Sequence, residues 1–260
     1  RRAGVDSGTW IARTASMRAA VAFADWDGWR PNSAQARSAL ASAGRLRLGE
    51  DGPTLGIVAY AARTRLEVPG PLTLDAARRQ LRSISALAAA DRPRRETDFG
   101  HIALDATWNA GAGPGRARLA LAGQYTDDEF RQLRSNGITA TAGGDLTALV
   151  EARRAHGAHV LSGGAIARSG SRRHSRWMHA GTARGPRFAE LDFESDHAAA
   201  WLDDAWSPYA GLTFSAGLSL SDTARASRGT PAPDAWRRPT SHTGSALPGC
   251  RPRRSPFAPG

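Results

Sequence analysis

The sequence predicts an all-β fold: an antiparallel up-and-down transmembrane β-barrel present in part, as about nine strands of a larger barrel. Three observations predict it. Apolar and polar residues alternate with period two, short and long connections take turns along the chain, and aromatic residues gather where strands end.

The cleanest strand is 212–221, where Leu212, Phe214, Ala216, Leu218 and Leu220 alternate with Thr213, Ser215, Gly217, Ser219 and Ser221. The stretch 99–108 repeats the pattern, with Ile102, Leu104, Ala106 and Trp108 against His101, Asp105 and Thr107. The stretches 117–125 and 146–154 do so again. Alanine-diluted versions run through 17–26, 36–48, 55–64, 158–168 and 198–206. Each is near the roughly 9 to 11 residues of a tilted membrane strand.

Short turns are expected at 49–53, 110–115, 155–157 and 207–211, and long excursions at 27–35, 66–98, 126–145 and 169–187. Outer-membrane barrels keep tight turns at one rim and long loops at the other, whereas a sandwich has no reason to alternate them. Within the 66–98 excursion, 74–90 reads as one short helix with Arg78, Arg79 and Arg82 on its polar side, a structural decoration. Trp26, Trp29, Trp108, Tyr125, Trp201 and Trp206 fall at strand termini and are read as interfacial aromatics.

Composition narrows the class. Hydrophobic residues make up 41% of the 260 residues, the mean hydropathy is -0.42, and the apolar runs, such as 86–90, are short and rich in Ala. Transmembrane helices are excluded, but barrel strands escape this test because only alternate residues face lipid. The net charge is +11 and every basic residue is Arg, scattered from Arg1 to Arg254. That scatter fits GC-rich coding better than a nucleic-acid patch, which clusters on one element, so no nucleic acid is expected as a partner. Cys250 is the single cysteine, which excludes an internal disulfide, and no zinc ligand set or cofactor motif accompanies it.

In the 169–187 excursion, Arg172, Arg173, His174, Arg176 and Trp177 could hold an anionic chelate by charge and stacking, although a solvated loop has the same composition. His174 and His179 lack ligand spacing, as do His156 and His159, so no metal site is expected. No catalytic constellation is present: Asp203 and Asp204 are neighbours on a strand and point to opposite faces. Asp127, Asp128 and Glu129 read as an acidic rim, and the GAGPG run at 111–115 lacks the helix a phosphate loop needs. An enzyme is not expected.

Three runs carry a family resemblance. DGWRPNSAQARS (27–38) resembles the "DGYRDHS" loop of TonB-dependent siderophore receptors, and LEVPGPLTLDAARR (66–79) resembles their "ELPGALT" loop. AAAWLDDAWSPYAGLTFSAGLSLSD (198–222) is similar to their "LYLQDEWRLTPRLTLSLGLRYD" hairpin. The resemblance covers roughly residues 9–225. It implies an outer-membrane transporter of a Gram-negative bacterium, with a plug inside a barrel of about 22 strands. It further implies a ferric siderophore or similar ligand, outer-membrane lipid around the wall, and energy from the TonB complex acting through the plug. Neither plug nor TonB box is present in these 260 residues, and 1–8 has no signal-peptide core. The expectation is therefore a fragment that does not function alone.

Residues 1–228 are assigned to the partial barrel and 229–260 to an irregular tail, where Pro, Arg and Cys250 arrive together. The hypothesis for the tail is a frameshift between about Gly229 and Thr240: the reading frame two bases on permits Phe-Ser-His-Trp across 240–243, as in the family's "FSHWNPKLG" strand. Resequencing that finds no barrel strand in any frame would refute it. The rival reading of the whole is a soluble, basic all-β binding module, which would stay in solution and bury its apolar alternate residues.

Overall fold

The computed structural model describes residues 1–109, 115–181 and 183–230. Its elements are β1 (Arg2–Ile11), β2 (Ala15–Trp26), β3 (Gln35–Arg47), β4 (Thr54–Glu67), α1 (Leu74–Arg79), α2 (Ala86–Asp91), β5 (Arg94–Asn109), β6 (Gly115–Arg131), β7 (Ile138–His156), β8 (His159–Ala180), β9 (Ala183–Tyr209) and β10 (Leu212–Thr230). Ten strands form one sheet in strict sequence order, every neighbouring pair antiparallel. Among the described residues β1 and β10 each pair on one side only, so the meander is open.

Register shows why the alternation produces this sheet. Cross-strand partners share a face, and the partner series Leu55, Ala106, Leu119, Val150, Ala165, Ala200, Leu220 is apolar across seven strands. One residue away on each strand, the other face carries Thr54, Thr107, Arg118, Glu151, Gly164, Trp201 and Ser219. A one-residue slip anywhere would exchange the two faces, so the register is strongly specified.

Among the described residues nothing covers the apolar face. Leu104 is 47% exposed and Leu218 67%, and the only buried hydrophobic residues among those described are Ala88 and Ile138. A sandwich would bury its apolar row under a second sheet; here the sheet is a single layer. Removing that row from water requires an apolar surface that the described residues do not supply.

The first strand was not expected, because its alternation is broken. The β1–β2 register shifts between Asp6 and Thr9, around Gly8 with φ +66°, so Val5 and Trp10 reach the apolar face from different parities. The strands are also longer than the apolar alternation suggests, rising from 10 residues in β1 to 27 in β9. The excursions expected at 126–145 and 169–187 shrink accordingly. β6 continues to Arg131 and β7 starts at Ile138, while β8 and β9 run up to a turn at Gly181.

These extensions carry polar residues on both faces, which hides them from a search for apolar alternation. Ion pairs hold them, for example Arg63 to Asp98 (2.6 Å), Arg65 to Glu96 (3.3 Å) and Arg173 to Asp192 (2.8 Å). All three lie on the continuation of the apolar face toward the long loops. That change from leucine to ion pairs marks where the apolar band stops.

The expected helix at 74–90 is instead two helices of six residues each. Thr73 and Ser85 cap them, each hydroxyl accepting from a backbone N–H of the first turn (Ala76 and Ala88), and Gln80 to Ser85 break the run. The short turn at 110–115 and the tail beyond Thr230, with its frameshift hypothesis, lie outside the described residues apart from Gly115.

Gly164 is required for packing. A Cβ there would meet the Trp201 indole at 2.5 Å and the Val150 carbonyl oxygen at 2.5 Å. Because one obstacle is backbone, Gly164→Ala is expected to cost about 1–3 kcal/mol. The check is the urea midpoint of the detergent-refolded chain, and an unchanged midpoint would contradict this packing.

Candidate functional site

The described residues at the long-loop end are the most tightly organised part of the chain. Ser33, Ala88, Asp91, Ile138 and Ser175, all buried, cluster there. The DGWRPNS segment between β2 and β3 is the first support. Asn32, at φ 56°, donates from Nδ2 to the carbonyls of Val68 (2.7 Å) and Pro93 (3.1 Å), gripping both ends of the β4–β5 loop. Arg30 adds a bond to the Gly70 carbonyl at 3.1 Å. Gly28 permits the tight turn: at φ +79° a Cβ would sit 2.1 Å from Ser33 Oγ.

The second support comes from the β6–β7 loop. Arg134 donates to Asp91 from its backbone N–H (2.8 Å), Nε (2.9 Å) and Nη2 (2.7 Å). The Asp91 side chain is 2% exposed whereas Arg134 is 62% exposed. The Arg134 side chain, then its backbone N–H, hold the Asp91 carboxyl below the usual carboxylate range. His179 of the β8–β9 hairpin places Nε2 2.9 Å from the Gln132 carbonyl. The loops are thus joined in series.

Below them, β7 to β10 form a hollow of about 410 Å3, lined on the polar face by Asp145, Arg168, Arg172, Phe193, His197 and Arg225, among others. Asp145 accepts from Arg168 (2.9 Å) and from Gln124 Nε2 (2.6 Å), which neutralises one guanidinium. Arg172 and Arg225 have no ion-pair partner among the described residues. The guanidinium forks of Arg225 and of Arg172, whose charge acts on Asp145 only at longer range, stand beside the half-exposed Phe193 ring and suit a planar anion held by paired hydrogen bonds and stacking. His197 faces the hollow with Nδ1 2.9 Å from Thr223 Oγ1.

The five residues singled out in the sequence do not form one loop cluster; they sit on a strand and divide between its faces. Arg172, His174 and Arg176 are on the polar face, with His174 Nδ1 2.9 Å from Thr141 Oγ1 and the Arg176 guanidinium 5.0 Å from the centre of the Phe188 ring. Arg173 and Trp177 are on the opposite face, Arg173 paired with Asp192 and Trp177 under the Arg184 guanidinium at 4.3 Å. Only Arg172 reaches the hollow. The spacing Arg168, Gly170, Arg172 at every second residue is the signal that places these guanidinium groups on one strand face. Phe193, His197 and Arg225 come from other strands, and only register reveals them.

The aromatic residues divide in the same way. Trp108 and Trp206 are on the apolar face at the short-turn end, Trp206 stacked against Phe214 at 5.7 Å, and Trp10 joins them there, while Tyr125 lies on the same face toward the long loops. Trp26 and Trp201 are on the polar face, contrary to the interfacial reading. Trp201 fits there because Gly164 opposite it leaves the space. The Arg2 guanidinium lies 5.1 Å over Trp26, on that same face. Trp29 lies in the β2–β3 loop with the Arg30 guanidinium 5.1 Å over its ring. Asp203 and Asp204 fall on opposite faces, and no group of three or more potential metal ligands occurs among the described residues.

An open antiparallel meander with one bare apolar face, tight turns at one end and joined loops at the other is a section of a membrane-type barrel wall. The fold is that of the β-barrel of TonB-dependent ferric siderophore receptors. The ferripyoverdine receptor of the Pseudomonas aeruginosa outer membrane superposes with TM-score 0.64 at 11% identity, over 89% of this chain and 37% of the receptor. The ferric-catecholate import receptor Fiu of E. coli K12 gives 0.61 at 10% identity, over 87% and 44%. The ferric citrate transporter FecA gives 0.61 at 12%, over 88% and 38%. The chain therefore spans less than half the length of these proteins. No protein-family model matches the sequence, and no curated protein matches it.

Proposed function

We propose that this chain forms part of the wall of an outer-membrane receptor that imports ferric siderophores or similar anionic ferric chelates into a Gram-negative cell. The observation that carries the reading is the combination of a bare apolar face with a polar face whose upper hollow presents Arg172 and Arg225 beside Phe193. The apolar face would contact outer-membrane lipid, and the polar face would line the route of the ligand. Transport would require a closed barrel, a plug and coupling to the TonB complex; this chain would supply a ligand-binding stretch of the wall and no catalysis.

The soluble binding module has no comparable support, because a single-layer sheet in water leaves its leucines wet.

The test is a titration of the detergent-refolded chain with ferric citrate and with a ferric catecholate, read by quenching of tryptophan fluorescence. Arg172→Gln and Arg225→Gln are each expected to weaken binding by about tenfold, the worth of one charge-assisted hydrogen-bond pair. Binding unchanged in the double variant would overturn the reading.

A further inference from the structure

Several arginines of this sheet are matched by a carboxylate. Arg18 pairs with Asp6, Arg63 with Asp98, Arg95 with Asp128 and Arg168 with Asp145. Even the like-charged cross-strand pair Arg94 and Arg131 is compensated, by Glu96 (3.1 Å) and Glu129 (2.5 Å) respectively.

The short-turn rim of the polar face gathers arginines that are not. Arg13 of the β1–β2 turn, Arg45 and Arg47 of β3, and Arg116 of β6 surround a hollow of about 350 Å3 with Thr54 and Asp105. Arg153 of β7 stands directly opposite Arg116. All five arginines are exposed, and none has an ion-pair partner among the described residues. The carboxylates on this face nearby, Asp105 and Glu151, are both taken by Arg118, at 4.0 and 3.6 Å. Glu50 and Asp51 lie exposed in the β3–β4 turn and form no ion pair with these arginines. Two guanidinium groups facing each other across a ladder repel. Among the described residues no carboxylate forms an ion pair with either of them.

We propose that this rim is a docking surface for an acidic polypeptide segment. Position and span favour that occupant. The arginines lie on the face opposite the apolar row, which removes them from lipid headgroups. From β3 to β7 is four strand spacings, about 19 Å. A single small anion cannot bridge that distance, whereas an extended segment with carboxylates along its length can meet Arg45, Arg47, Arg116 and Arg153 in turn. The inference is independent of the import reading, since it concerns the other end of the sheet.

The probe is a short fluorescein-labelled peptide of alternating Glu and Ala, with its Gln counterpart, titrated against the detergent-refolded full chain by fluorescence anisotropy. The Glu peptide is expected to bind, more weakly as salt rises, and the Gln peptide not to bind. Arg47→Glu with Arg116→Glu is expected to weaken binding by about tenfold or more. Arg82→Glu, in the β4–β5 loop, is expected to leave it unchanged. If the charge-reversed double variant does not refold, Arg47→Gln and Arg116→Gln decide, each expected to weaken binding about threefold. Equal binding of the Gln peptide, or affinity unchanged in these variants, would overturn the proposal. So would displacement by inorganic phosphate at concentrations near that of the peptide, which would mean a small-anion site.

Discussion

Leu104→Arg is expected to destabilise the refolded chain in lipid by about 2–4 kcal/mol, the cost of an arginine near the midplane on a barrel's lipid face. Leu104 lies between Ile57 and Leu121 in the apolar band, and among the described residues nothing shields that face. The matched control is Ala120→Arg, on the polar face opposite Asp105, where the new charge meets water and a carboxylate. It is expected to change stability by no more than about 0.5 kcal/mol. Urea unfolding of both variants in lipid bilayers, followed by tryptophan emission, provides the check. A soluble sheet predicts the opposite: in water an arginine at the half-exposed Leu104 is an ordinary surface change. Equal stability of the two variants would therefore remove the membrane reading, and with it the import proposal.

How much of this was legible in the sequence depends on what each strand buries. Where one face carries the apolar row, as at 99–108 and 212–221, apolar and polar residues alternate and the strand can be read directly. Where a strand rises beyond the apolar band, both faces are polar and the pattern disappears, so SGSRRHSRW at 169–177 reads as a loop although it is β8. β1 is lost for another reason: a bulge at Gly8 shifts the phase halfway along ten residues. The family-like run DGWRPNS was recognisable as wording, but its work as a clamp on Val68 and Pro93 depends on atoms some thirty to sixty residues away. The hollow was legible only through Arg172. Its other lining groups, Phe193, His197 and Arg225, enter through the β8–β9–β10 register, which no local pattern specifies.

The same physics separates the two ends of the sheet. At the loop end, carboxylates and arginines interleave along extended strands, so cross-strand pairs stabilise long ladders without any apolar face. At the turn end, strands stop within a few residues of the apolar band and the arginines outnumber their partners. The loop end is tied by such pairs, with Arg172 and Arg225 left over in its hollow, whereas the turn end gathers five arginines without an ion-pair partner among the described residues.

Removing the carboxylate of Asp91 is expected to release the β4–β5 loop. Asp91 is buried and is met by three donors of Arg134, the one side-chain link shown between α2 and the β6–β7 loop. Asp91→Asn keeps the shape but loses the charge, leaving those donors with a single weaker acceptor. Backbone amides of 68–93 and 132–137 should then exchange hydrogen several-fold faster in native-state measurements, while β3 and β7 keep their protection. The pH dependence has a definite sign. Arg134 lowers the folded-state pKa of Asp91, so the unfolded loop binds the proton more readily than the folded one. The contribution is complete above the unfolded value of about 3.9 and is lost as pH falls through the lower, folded value. After correction for intrinsic exchange, wild-type protection of these loops should fall on acidification below about pH 4, and Asp91→Asn should show no such step. A wild-type loop equally protected at pH 6 and well below pH 3 would mean that Asn32 and Arg30, on the opposite side, hold it without Asp91.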